Sequence, residues 1–319
     1  MRALQLLSYG VQPEITDVST PAPKSGEVLL KIDACGLNFG DLLLIKGTYQ
    51  EKPDLPFTLG MEVAGTITAL GEDVKNLAVG TRVAVFGGTG GLADYGCFEA
   101  QRCVPIPDQM TSIDAAAFLV GYGTSHLALT HRAKVGSGDT VLVTGAAGGV
   151  GLTAVEISAH LGATVIAVAR GADKLKIAGD AGAKHLIDAD DPDLTQKLKD
   201  LGGLDVIYDA VGGALFTASL KACNRGARVL VIGFASGDVP PIPANILLVK
   251  NITVHGFYWG GYLKLDPKPL VESLAESMDW YVQGKIAPHV SQTYPLEEAN
   301  AGFEALRLRK STGKVVITL

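Results

Sequence analysis

The segment Val141-Leu-Val-Thr-Gly145-Ala-Ala-Gly148-Gly149-Val-Gly151 constrains the fold more than any other stretch of the chain. An apolar, β-branched run ends in a cluster of glycines, and a stretch of helical character follows from Val150 to Leu161. A strand, a tight turn and a helix are therefore expected in direct succession. The spacing is GxxGxxG rather than the strict GxGxxG, yet the physical demands are unchanged. The turn must be tight, backbone N–H groups must approach an anion, and the helix N-terminus favours negative charge. A strand–helix turn without a ligand does not need several glycines at once. Gly145, Gly148, Gly149, Val150 and Gly151 are accordingly read as a cradle for a dinucleotide pyrophosphate.

The pattern around this turn repeats. Apolar strands are expected at Thr140–Thr144, Thr164–Ala169, His185–Ile187, Asp205–Asp209, Arg228–Ile232 and Asn251–Phe257, with helical stretches between most of them. Strands that are apolar throughout and alternate with helices indicate a parallel sheet covered on both faces, a doubly wound α/β fold. The first part of the chain differs. Short Val- and Ile-rich runs such as Glu62–Ile67 and Thr81–Phe86 are punctuated by Gly and Pro, which predicts a β-rich domain. The tail carries helices near Leu270–Gln283 and Leu296–Leu308 and a closing strand, Lys314–Leu319. Expected boundaries are thus 1–121 for the β-rich domain, 122–256 for the inserted dinucleotide domain, and 257–319 for the return to the first.

Partners and compartment follow from composition. The 319 residues carry 27 Lys and Arg against 33 Asp and Glu, a net charge of −6, and no basic block. Nucleic acid and anionic membrane are therefore not expected partners. Apolar runs are too short for a membrane span, and the N-terminus lacks the pattern of a signal peptide. The four cysteines, at positions 35, 97, 103 and 223, form no CxxC pair, which fits a reducing cytoplasm.

Cofactor choice is read at the end of the second strand of the doubly wound fold. An acid there would select NAD by accepting hydrogen bonds from the adenosine ribose. The chain instead has Ala169-Arg170-Gly171 with Lys174 one turn on, two cations suited to a 2′-phosphate, so NADPH is expected. Asp173 is the competing acid, but its place at the start of the next helix suits a first-turn role. Ile232, Gly233 and Phe234 end a strand at the carboxyl edge of the sheet, where ligands bind in such folds.

TGAAGGVG, together with Asn38-Phe-Gly-Asp41, Gly60-Met61-Glu62, VIGFASG at 231–237 and PANILLVKN leading to GFYWG at 243–260, carries a resemblance. In combination these segments resemble the zinc-free quinone oxidoreductases of the medium-chain dehydrogenase/reductase superfamily, over essentially the whole chain. The resemblance implies a GroES-like catalytic domain around a Rossmann domain, an active site in the cleft between them, and a homodimer joined through the last Rossmann strands. It implies that Asn38 and Asp41 line the nicotinamide end of the cofactor and fix loop geometry; helix capping is the plainer role for Asp41. Tyr49 falls where related enoyl reductases place a proton-donating or substrate-positioning tyrosine, or it packs as a turn aromatic. Tyr122 and Thr124 would face the nicotinamide, or pack at the domain junction, and the backbone of Phe257-Tyr258-Trp259 would meet its carboxamide, with the side chains themselves suited to core or interface. Arg309 matches a basic residue near the cofactor. The chain departs from the family pattern after the third strand, where Ile187-Asp188-Ala189 lacks the usual tyrosine near the 2′-phosphate.

Zinc is not expected. Zinc-dependent relatives place Cys where this chain has Asn38 and His where it has Met61, and an amide with a thioether does not make a tetrahedral N/S site. Without a metal to polarise a carbonyl, the chemistry best supported is hydride delivery from NADPH to an activated acceptor, a quinone or an α,β-unsaturated carbonyl compound. The alternatives are a 2-enoyl-thioester reductase, which needs a long acyl channel, and a cofactor-binding structural or regulatory protein with little turnover.

Overall fold

Strand Thr140–Thr144 runs into helix Gly149–His160 through the glycine turn, as expected. In the computed structural model, which describes residues 1–319, this strand is the centre of a six-stranded sheet. The order across the sheet is His185–Asp188, Thr164–Ala169, Thr140–Thr144, Leu204–Asp209, Cys223–Val231 and Thr253–Gly256, all parallel. Chain order reverses at Thr140–Thr144, whose neighbours are the second and fourth strands, so the glycine turn leaves the sheet at its switch point. The inner strands are apolar because both faces are covered: Val141, Leu142, Val143, Val206 and Ile207 are fully buried. Helix Ala244–Lys250, which the sequence pattern did not reveal, precedes the edge strand and contains no fully buried residue.

The β-rich part forms a seven-stranded sheet, in which strand Glu27–Leu37 pairs with Lys314–Thr318, Glu62–Leu70 and Tyr95–Glu99, and a three-stranded sheet that includes Arg2–Leu6. Helix Phe39–Lys46 is its longest helix in the first 110 residues. Closing strand Lys314–Thr318 lies antiparallel to Glu27–Leu37, so the far end of the sequence completes the sheet that the near end begins. No helix is long and apolar enough to cross a membrane.

The chain divides into two units, Met1–Val120 with Pro288–Leu319, and Gly121–Ala287. The expected return to the first domain at residue 257 is therefore corrected: Phe257–Ala287 belongs to the second unit. Helix Pro267–Val282 explains why. It begins at Asp266, whose side chain accepts from the Lys268 N–H, with proline in the first turn. It buries Leu270, Leu274, Met278 and Trp280. The Trp280 ring meets those of His126 and His160 edge-on at 4.7 and 4.5 Å, and His126 Nδ1 lies 2.8 Å from Ser273 Oγ.

His126 is 1% exposed, and burial pushes its pKa down to about 4. Glu276 lies 3.4 Å from Nε2 but without the alignment of a hydrogen bond, and it is itself largely exposed. The unfolded chain binds this proton near pH 6.5 and the folded chain only near pH 4. Stability is thus lost as pH falls through that window, by on the order of 3 kcal/mol at its lower end. Urea unfolding of wild type and His126→Gln between pH 7 and 4 checks this. The variant should show the flatter dependence on pH.

Candidate active site

Within the second unit, Gly145 adopts φ +63°, a left-handed conformation that favours glycine. The Gly148 N–H donates to the Gly145 carbonyl at 2.9 Å and closes the turn. A Cβ on Gly151 would stand 2.1 Å from that same carbonyl oxygen, so only glycine lets the helix seat against the turn. Gly148 is exposed and caps helix Gly149–His160 with no side-chain hydrogen bond. The N–H groups of the first helical turn therefore have no side-chain cap, and the helix dipole points its positive end at the same place. A pyrophosphate fits this cradle.

Buried hydroxyls support the turn from beneath. Ser125 Oγ donates to the Val150 carbonyl at 2.9 Å and lies 2.8 Å from Thr153 Oγ1 and 2.9 Å from the Tyr208 hydroxyl. Thr153 Oγ1 in turn donates to the Gly121 carbonyl at 3.0 Å. Burial raises the Tyr208 pKa, so its phenol stays protonated and available to this network. Asp209 ties the strand ends together. Its buried carboxylate accepts from Thr144 Oγ1 at 2.5 Å and from the Gly212 N–H at 3.0 Å. Its carbonyl accepts from the Ile232 and Gly233 N–H groups at 2.9 and 3.3 Å. Phe234 follows, partly exposed at the carboxyl edge.

The end of the second strand is stitched to the third. The Ala189 N–H donates to the Ala169 carbonyl at 3.0 Å. Asp188 accepts from the Asp190 N–H and the Gly171 N–H, both at 2.9 Å, and these contacts hold its pKa below the ordinary carboxylate value. Arg170 is held by Asp190, Nε to Oδ2 at 2.9 Å and Nη2 to Oδ1 at 3.2 Å. Lys174 is half-buried in the first turn of helix Ala172–Asp180.

The residues expected at the nicotinamide are mostly buried. Tyr122 is buried, with its hydroxyl donating to Glu156 at 2.7 Å, and Thr124 is buried too. Phe257 and Trp259 are buried, with the Trp259 indole against Gly123, where a Cβ would come within 2.8 Å of the ring. Tyr258 is the exposed member of that trio.

In the first unit, Asn38 N-caps helix Phe39–Lys46. The Asp41 carboxylate reaches back to accept from the Asn38 N–H at 2.8 Å, one half of a capping box. The Asn38 side chain faces elsewhere. Its amide nitrogen donates to the Gly36 carbonyl at 3.1 Å and to Glu62 Oε2 at 3.2 Å, while its oxygen accepts from Lys314 Nζ at 2.7 Å. Lys314 Nζ also lies 2.8 Å from Glu62 Oε2, and Glu62 Oε1 accepts from the Val120 N–H at 2.9 Å. Asp41 is fully buried, and burial pushes its pKa up to about 7 against the opposing Asn38 N–H and Lys314 charge. Met61 and Tyr49 lie over Gly40: a Cβ there would stand 2.9 Å from the Met61 sulfur and 3.3 Å from the Tyr49 ring. Arg309 is exposed beyond helix Ala299–Arg307, at φ +55°.

The structure thus gathers Asn38, Asp41 and Tyr49 around one helix, and it adds residues to which sequence gave no role. Glu62, Lys314, Ser125, Thr153, Tyr208, Asp209 and Asp190 hold the expected residues in place. Lys314 had a signal, a lone cation beginning an otherwise apolar closing strand. Glu62 and Lys314 are 0% and 5% exposed, so neither charge has water to fall back on. Lys314→Met should cost about 3–5 kcal/mol in urea unfolding, because Glu62 is left charged and buried. The double variant Glu62→Gln with Lys314→Met should regain much of that loss.

Comparison with known proteins agrees across both units. Residues 24–108 match the family model of the alcohol dehydrogenase GroES-like domain, and residues 149–276 that of the zinc-binding dehydrogenases. The chain is 40% identical over 305 residues to a quinone oxidoreductase-like protein 2 homolog of Nematostella vectensis, covering 94% of this chain and 83% of that one. It is 37% identical to quinone oxidoreductase-like protein 2 of Bos taurus, covering 97% and 90%. Among solved structures, Escherichia coli quinone oxidoreductase complexed with NADPH superposes with a TM-score of 0.93 at 27% identity, over all of both chains. The chain belongs to the quinone oxidoreductase family of the medium-chain dehydrogenase/reductase superfamily, and it is an oxidoreductase.

Proposed function

We propose that the protein transfers hydride from NADPH to quinones or α,β-unsaturated carbonyl compounds and that it does so without zinc. The observation that carries the cofactor is the glycine turn, with Gly151 seated on the Gly145 carbonyl and an uncapped helix N-terminus facing outward. The quinone oxidoreductases of Escherichia coli and Thermus thermophilus are both described in complex with NADPH, which supports the same dinucleotide here. When bound, NADPH supplies the hydride at its nicotinamide C4.

The chain's own residues bind and orient. Gly148, Gly149 and Val150 would hold the pyrophosphate by their backbone. Arg170 and Lys174 would meet the 2′-phosphate. Ile232, Gly233 and Phe234, with the backbone of Phe257-Tyr258-Trp259, would meet the ribose and nicotinamide end; Tyr122 and Thr124 pack behind it. Both ends of the Asn38 amide are engaged within the first unit, so Asn38 acts as a positioning residue. Asp41, fully buried, fixes the Asn38 backbone rather than touching substrate. Tyr49 is the candidate to donate a proton or hold the acceptor.

Two features support zinc independence. Asn38 is bonded to Gly36, Glu62 and Lys314, and the Met61 thioether packs on Gly40, so neither position offers a Cys or His ligand. Self-association is supported by the edge strand Thr253–Gly256 together with Leu248 and Val249, which are 77% and 65% exposed on helix Ala244–Lys250. A homodimer would cover both. All four cysteines are free, in keeping with a reducing cytoplasm.

NADPH oxidation scanned across quinones, enones and an enoyl thioester tests the reaction. Turnover should concentrate on quinones or free enones and survive chelation; preference for the thioester, or loss of activity with a stoichiometric zinc, would refute the proposal. Size-exclusion chromatography tests the assembly. Leu248→Glu with Val249→Glu should shift a dimer to monomer while NADPH still binds.

A further inference from the structure

We infer that Asp190 is a specificity-determining residue: its carboxylate occupies the guanidinium that would receive the 2′-phosphate and thereby tempers the preference for NADPH over NADH. The inference rests on the cofactor reading above, which assigns that phosphate to Arg170.

Two carboxylates at the ends of neighbouring strands have different work. Asp188 is engaged with backbone, accepting from the Asp190 and Gly171 N–H groups. With the Ala189 N–H on the Ala169 carbonyl, these bonds fix the turn after the third strand against the turn after the second. Asp190 is thereby placed directly opposite Arg170, and its own carboxylate makes a two-point contact with the guanidinium, at 2.9 and 3.2 Å. Guanidinium presents to a phosphate the same fork of donors that it presents to a carboxylate. Asp190 is therefore a built-in stand-in for the anion.

The pair is open to exchange. Arg170 and Asp190 side chains are 61% and 65% exposed, and ion pairs so exposed are weak. A 2′-phosphate carries more charge and more acceptor oxygens than a carboxylate, so it displaces Asp190 from Arg170. The displaced carboxylate stays tethered beside the phosphate by the Asp188 bonds, and its charge opposes binding. NADH has no 2′-phosphate and leaves the pair intact. Asp190 thus lowers affinity for one cofactor and not for the other.

Dissociation constants of NADPH, NADH and 2′,5′-ADP for wild type, Asp190→Asn, Asp190→Ala and Arg170→Ala decide the matter. Both Asp190 variants should bind NADPH and 2′,5′-ADP about three- to tenfold more tightly, about 0.7–1.4 kcal/mol, with NADH changed by less than twofold. The gain should shrink at high salt, since the opposing charges are exposed. Arg170→Ala should weaken NADPH and 2′,5′-ADP about tenfold. If Arg170→Ala weakens NADPH but the Asp190 variants leave it unchanged or weaker, the role of Asp190 is overturned and the phosphate subsite stands. If Arg170→Ala leaves NADPH binding unchanged, the phosphate subsite fails and the inference fails with it.

Discussion

The first unit depends on a buried ion pair made by residues from its two separate pieces of chain. Lys314 and Glu62 meet where neither is exposed, and Asn38 completes the set. Bringing two charges out of water is costly unless they are paired and further hydrogen-bonded, and here most of that bonding is supplied by few groups. Lys314 Nζ bridges Asn38 and Glu62; Glu62 also holds the Val120 N–H; the Asn38 amide reaches back to the Gly36 carbonyl. One carboxylate thereby ties together the start of a helix, the last residue before the insertion, and the closing strand, and the Asn38 amide adds the end of a long strand. A domain interrupted by an inserted one needs such a cross-link, because its two pieces are not neighbours in sequence.

The second unit solves a similar problem with neutral and backbone partners. Its strands are consecutive in sequence, so the sheet itself is assembled by local βα units. What must be fixed is the shape of the loops at the carboxyl edge. Asp209 does this with Thr144 and the N–H groups of residues 211 and 212, and Ser125 does it under the glycine turn. Burial raises the Asp209 pKa while these donors oppose the shift. The groups above them are left with few constraints of their own: exposed glycine backbone and a partly exposed phenylalanine. Rigid support beneath an open edge is what a dinucleotide site requires.

Legibility in the sequence followed the range of the interaction. The strand Thr140–Thr144, its glycines and the helix after them are encoded by adjacent residues, and they were readable to within one residue. The parallel sheet was readable because full burial leaves an apolar run. Helix Ala244–Lys250 was not, because Ile246, Leu247, Leu248 and Val249 are apolar on all sides and show no amphipathic period. The end of the inserted unit is illegible for a related reason: helix Pro267–Val282 is amphipathic, but its sequence does not say which unit receives its apolar face. The role of Asn38 was only half legible. The Asp41 carboxylate on the Asn38 N–H is a local capping contact, whereas Lys314 reaches Asn38 across almost the whole chain.

Asp41 shows how local and distant constraints combine in one group. Its place at the third helical position is a capping signature, and capping acids are ordinarily solvated and ionised. Here the same carboxyl is fully buried near Cys35, itself buried. Burial works against its charge, while the Asn38 N–H and the Lys314 ammonium work for it, and the balance stands near neutrality at a pKa of about 7. Folding favours the protonated form between the ordinary carboxylate value and that pKa, so the capping contact is weakest where a solvated cap would be strongest. The loop carrying Asn38 is held both by this contact and by the Lys314–Glu62 pair. Helix start, strand end and closing strand converge on those two charges, one of them supplied from the far end of the sequence.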